Sequence, residues 1–202
     1  MEYYRNLPHL HPIESVFFIT IRLAGSLPVA IIEMLKEEQE MALRQVSKQP
    51  EEVINQRKRY FARFDASLDK PQNGPYWLKE VEIAGVIKEA LHFRDKLDYR
   101  LVAYCLMSNH MHVVIDTREA VEMDKPLFQI LQSFKRYTAR KANMLLNRTG
   151  AFWHPESYDH IVRDNGELRR VIWYVIQNPV KAGLCREWTG WPHSYVNEAY
   201  LI

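Results

Sequence analysis

His110 and His112 stand one residue apart in "NHMHVVI", inside a run that otherwise suits a buried β-strand. Residues i and i+2 of a strand point to the same face. The two imidazoles therefore project together, while Met111, Val113 and Ile115 project the other way. Neutral imidazole is the commonest protein ligand for a metal, and two at this spacing can share one divalent ion. Two ligands do not fill a coordination shell, so further donors or waters must complete it. The plainer alternative is a pair of solvated polar residues at the start of a strand.

A second group of residues suits a phosphate. The segment from Lys125 to Arg148 carries Lys125, Lys135, Arg136, Arg140, Lys141 and Arg148 and no acid. Leu127, Ile130, Leu131, Phe134, Thr138, Ala142 and Leu145 recur at helical spacing and form a core-facing stripe, with the basic residues on the flanks and outer face. A helix with one sign of charge suits a polyanionic partner, although a merely solvated face has the same composition. Tyr137 lies at the edge of the stripe, one turn from Arg140 and Lys141 on its own side. A tyrosine there usually packs with its hydroxyl wet. It acts as a nucleophile near neutral pH only with help of the kind nearby cations give, since a free phenol ionises near pH 10.

The elements that must position these residues follow from the pattern of the chain. "SVFFITIRL" reads as a first strand, followed by helical sequence from Val29 to about Arg63 in two pieces divided near Pro50. An amphipathic helix spans about Glu80 to Leu97. "YRLVAYCLM" and "HMHVVIDT" are strands joined by a tight hairpin at Ser108 and Asn109. The basic helix enters through Pro126 and closes at Gly150, "SYDHIVRD" is a fourth strand, and a last helix stops at Asn178-Pro179. Hairpin strands with interspersed helices predict an α+β fold, a ferredoxin-like antiparallel sheet with helices packed on one face. The histidines would then lie on the open face.

Of the 202 residues 47% are apolar, enough for a sizeable core, and the formal net charge is only +2. The two cysteines, Cys105 and Cys185, make neither a disulfide framework nor a zinc site. No apolar run approaches the roughly 20 residues of a membrane span, and the N-terminus lacks the pattern of a signal peptide. These features predict a cytoplasmic protein with no membrane partner.

A His-hydrophobic-His strand followed about 25 residues later by a tyrosine in a basic helix resembles the single-tyrosine HUH transposases. "GPYWL…VAYCLMSNHMHVVI" resembles their central strands and "LQSFKRYTARKAN" their tyrosine helix. "SYDHIVRD…LRRVIWYVIQNPVKAGL" resembles the C-terminal block of the REP-associated tyrosine transposases, and "LPHLHPIESVFFITIRLAGSLP" the opening block of one branch of them. The likeness implies one transposase-like domain over residues 1–202, with a helical insertion at about 36–64 and a C-terminal extension after about 185. It implies an enzyme that cuts and rejoins single-stranded DNA at hairpin-bearing sequences. His110 and His112 would bind Mg²⁺ or Mn²⁺, and Tyr137 would form a 5′-phosphotyrosine. Lys135, Arg136, Arg140 and Lys141 would hold the DNA backbone, and Trp188, Trp191 and Tyr195 of the tail are placed either to stack on exposed bases or, equally, to pack in the core.

Such enzymes build their sites within one subunit or across a homodimer. Relatives often carry a third metal ligand, an amide or acid, one helical turn after the tyrosine. Here that position is Lys141, which when protonated has no lone pair to offer. Asn143 is about 120° from the tyrosine's face of the helix, leaving Gln132, Asp159 and Glu156 as further candidates. The departure keeps open a non-catalytic binder of structured DNA or RNA on the same fold. A small metal-dependent hydrolase with no nucleic-acid partner would leave the acid-free helix unexplained.

Overall fold

Seven consecutive buried residues, Val16–Arg22, form β1. β-branched and aromatic side chains favour the extended chain there, and a strand buried on both faces reads as a continuous apolar run rather than an alternation. The computed structural model describes residues 14–45, 50–70, 74–118, 120 and 125–200. Part of the "LPHLHP" opening block and of the Asp116 to Lys125 linker therefore lies outside the described residues. The chain divides into two compact units. One joins the described residues up to Ala24 with those from Trp77 onward, and the other is Gly25–Tyr76.

The first unit holds a five-stranded antiparallel sheet. Its strands are β1, β2 (Arg100–Leu106), β3 (His110–Asp116), β4 (Tyr158–Val162) and β5 (Ser194–Val196), in the order β4-β1-β3-β2-β5. The β2–β3 hairpin turns at Ser108 and Asn109 as the sequence suggests, and β3 becomes the central strand. A register shift between Leu101 and Ala103 lets Leu101, Tyr104 and Leu106 share one face despite their spacing. They pack with Phe17, Ile19 and Ile21 of β1 and Met111, Val113 and Ile115 of β3 under α3 (Val81–Phe93) and α4 (Leu127–Leu145). Within α4 the buried stripe is Leu127, Ile130, Phe134, Thr138 and Ala142, whereas Leu145 is 49% exposed at the helix end.

The α+β class and the antiparallel sheet agree with the sequence, but helices on one face alone do not. The last helix, α5 (Asn165–Lys181), covers the opposite face, where its Tyr174 ring meets Phe18 and His112. The histidine face is thus covered rather than open. An amphipathic helix shows which of its own faces is buried, not which side of a sheet receives it.

α5 also runs past Asn178-Pro179. A proline forfeits one hydrogen bond, and here the loss falls in the final turn, where Ala182 N–H still reaches the Asn178 carbonyl at 2.9 Å. The stop comes at Gly183, whose φ of +71° suits the left-handed residue after a helix end. The C-terminal extension supplies the short edge strand β5.

In the second unit α1 (Val29–Gln45) packs on α2 (Pro50–Leu68), with Arg63 3.0 Å from Glu38. Proline at the first position of α2 suits a helix start, since its missing N–H would have had no partner in the helix.

Candidate active site

Strand parity brings His110 and His112 onto one face of the central strand, opposite Arg22 and Thr20 of β1. Both side chains are fully buried. Their outer nitrogens are anchored: His110 Nδ1 lies 2.7 Å from Asn109 Oδ1, and His112 Nδ1 lies 2.8 Å from Thr20 Oγ1. A carbonyl oxygen can only accept, so His110 Nδ1 carries its proton and the neutral ring keeps its lone pair on Nε2. The NH₂ of Asn178 on α5, which can only donate, lies 3.1 Å from His112 Nε2, so the His112 proton sits on Nδ1 and the Thr20 hydroxyl accepts it. Fixing one ring nitrogen so that the other presents a lone pair is how metal-binding histidines are oriented.

The two Nε2 atoms converge to 3.1 Å. Two neighbouring ligands of an octahedral ion, each about 2.1 Å from it, stand about 3.0 Å apart. The donor type and spacing therefore fit a divalent ion. Burial first, and the Lys181 charge second, push His112 down to about 3, so its ring is neutral as a ligand must be.

A third side chain reaches the same place. Asn178 of α5 is 1% exposed, and its Nδ2 lies 3.1 Å from His112 Nε2. Its Oδ1 is buried without a hydrogen-bond partner among the described residues. The sequence reading passed over this residue. Its signal was an amide in the buried stripe of α5, among Ile172, Val175, Ile176 and Pro179, where an apolar residue is expected.

The candidates weighed from sequence go elsewhere. Asn143 donates to the Gly150 carbonyl at 2.9 Å and accepts from Arg148 at 2.6 Å, tying down the end of α4. Asp159 is paired with Ile19, whose side chain belongs to the α3–α4 core, so strand parity aims it away from the histidines. Glu156 is exposed in a turn against His154, and Gln132 is exposed on α4.

Tyr137 is 39% exposed on α4, on the other side of the sheet from α5. Its helical turn is tied to the histidine end of the sheet by a chain of contacts. Trp153 donates from Nε1 to Thr138 Oγ1 at 2.8 Å and bridges Leu23. His154 N–H donates to the carbonyl of Arg22, the residue paired with His110. Burial, then the Arg22 charge, hold the His154 imidazole below its ordinary pKa. No described contact joins Tyr137 to either histidine.

Of the basic residues, Lys135 donates to the carbonyls of His154 and Pro155 at 2.9 and 3.0 Å, which fixes the chain after Trp153. Arg136 and Arg140 are exposed and Lys141 is half-buried. Two of the tail aromatics are used in packing. Tyr195 stacks on Tyr104 at 5.4 Å, and Trp191 donates to the Leu106 carbonyl at 2.9 Å. Among the described residues no helix is long and apolar enough to cross a membrane.

No protein-family model matches the chain. A curated protein of Haemophilus influenzae named "Putative REP-associated tyrosine transposase" is 24% identical over 102 residues, which cover 48% of this chain and 58% of that protein. The match thus spans less than two thirds of the relative's length. A solved structure of a REP-associated tyrosine transposase bound to a REP hairpin superposes with a TM-score of 0.54 at 15% identity, covering 96% of this chain and 82% of that one. The chain is therefore similar to one such protein in sequence and to another in fold, in agreement with the resemblance carried by its motifs.

Proposed function

We propose, on the premise of that likeness, that the chain is a metal-dependent single-stranded DNA endonuclease and strand transferase acting on hairpin-bearing DNA through a 5′-phosphotyrosine. The observation that carries this reading is the convergence of two buried, Nδ1-anchored imidazoles to 3.1 Å between their Nε2 atoms. His110 and His112 would hold Mg²⁺ or Mn²⁺. When bound, such an ion withdraws charge from a non-bridging phosphate oxygen. The Tyr137 hydroxyl gives up its proton to solvent as its oxygen attacks the phosphorus, the bond to the 3′ oxygen breaks, and that oxygen leaves as a 3′-hydroxyl after taking up a proton from solvent. The new phosphotyrosine keeps the energy of the phosphodiester, so rejoining needs no nucleotide cofactor. Arg136, Arg140 and Lys141 hold the strand by charge, without reading its sequence.

The test is incubation with labelled hairpin DNA and Mn²⁺, followed by denaturing electrophoresis. The wild type is expected to carry label and Tyr137→Phe to carry none. An adduct that persists in Tyr137→Phe, or none with the wild type on any cognate hairpin, rules the reading out.

Lys141, one turn after Tyr137, favours a second reading: a binder of structured DNA or RNA that does not cut. It predicts binding that survives His110→Ala/His112→Ala. A tenfold or greater loss of affinity in that variant, with the fold intact, counts against it.

A further inference from the structure

We infer that Asn178 is a metal ligand in the His110–His112 site, through its side-chain oxygen. The inference rests on the metal-dependent reading above and identifies a donor on α5, where the family pattern would look on the tyrosine helix.

Position and chemistry both support it. Asn178 is 1% exposed, and its amide lies 3.1 Å from the same His112 nitrogen that approaches His110 Nε2. Three nitrogen- or oxygen-bearing groups from two elements thus meet at one buried point. With an NH₂ toward His112, the amide donates to the Nε2 lone pair. That lone pair cannot serve an N–H and a cation at once, and an NH₂ aimed at a cation is repelled.

Turning the amide over by a half-rotation of its last torsion exchanges oxygen for nitrogen with almost no change of shape. The rotation breaks no hydrogen bond at the oxygen among the described residues, where Oδ1 has no partner. It would set a hard oxygen donor beside two imidazoles, a set that Mg²⁺ and Mn²⁺ accept. Lys141 cannot play that part.

α5 also holds the residue rigidly. The Asp164 carboxylate accepts from Glu167 N–H at 2.7 Å at the start of the helix, and Ala182 N–H donates to the Asn178 carbonyl at its end. A buried amide in an apolar stripe is costly unless it is used.

The test is Mn²⁺ binding by calorimetry to wild type, Asn178→Ala, Asn178→Asp and His110→Ala/His112→Ala, with thermal melts with and without the ion. Asn178→Ala should weaken Mn²⁺ roughly tenfold or more. Asn178→Asp, which supplies a charged oxygen in the same place, should bind at least as tightly as wild type and gain more melting temperature from the ion. A residue that only steadied His112 would weaken binding in both variants.

Wild-type affinity in Asn178→Ala, or weakened affinity in Asn178→Asp, overturns the inference. If Asn178→Ala does not fold, Asn178→Asp decides alone. The histidine variant separates the two readings: binding lost there but unchanged in Asn178→Ala removes Asn178 and leaves the metal site standing. Binding unchanged in the histidine variant, or absent from the wild type, removes both.

Discussion

At the scale of single residues, the histidine pair depends on side chains that touch only its far nitrogens. Thr20 is buried, and its hydroxyl holds His112 Nδ1 at 2.8 Å. Thr20→Val keeps the shape and removes the acceptor. The His112 proton is then free to move to Nε2, the atom that must be bare to bind metal. The substitution should weaken Mn²⁺ roughly 10- to 100-fold, as loss of an orienting partner does. It should also destabilise the metal-free protein by about 1–3 kcal/mol, the cost of a buried donor left unpaired. Calorimetry and urea denaturation check the two separately, and unchanged Mn²⁺ affinity would disprove the orienting role. The shared face of His110 and His112 was readable in advance because strand parity is a local rule. Thr20 and Asn178 were not, because they reach the pair from other elements, 92 and 66 residues away along the chain from His112.

At the scale of elements, α4 and the chain after it act together. Thr138 is fully buried, donates to the Phe134 carbonyl at 2.8 Å and accepts from Trp153 Nε1 at 2.8 Å. It belongs to the stripe because its methyl packs and its hydroxyl is spent locally. Thr138→Val leaves the helix intact but strands the indole N–H in the core. Stability should fall by about 1–3 kcal/mol with an unchanged denaturant slope, and Thr138→Ser should recover much of the loss. Equal stability in Thr138→Val would show that this bond does not hold α4 to the sheet. Helices and strands were legible here from periodicity and their stop signals. The end of α5 was misplaced because proline is a weaker stop in a last turn than a left-handed glycine, and the side of the sheet it covers is not written in its own sequence.

At the scale of the whole molecule, charge is nearly balanced, with 27 basic and 25 acidic residues. On the proposed function, long-range attraction to DNA would be weak, and binding would come from where the charge is placed. The basic segment does not offer all of its cations. Lys125 pairs with Asp98 at 3.0 Å, Lys135 is held by two carbonyls, and Arg148 lies over Trp77 and bonds Asn143. Among the described residues, Arg136, Arg140 and Lys141 have no such tie, and they flank Tyr137. If each neutralises one phosphate of a single strand, each contributes about 0.7 to the slope of log affinity against log salt. Removing all three should flatten that slope by about 2 and weaken single-stranded and hairpin substrates alike, since phosphate contacts carry no sequence information. Anisotropy titrations of Arg136→Ala/Arg140→Ala/Lys141→Ala across a salt series measure this directly. A triple variant that keeps the wild-type slope would move the DNA path off the tyrosine helix, and with it the reason to expect Tyr137 at the scissile phosphate.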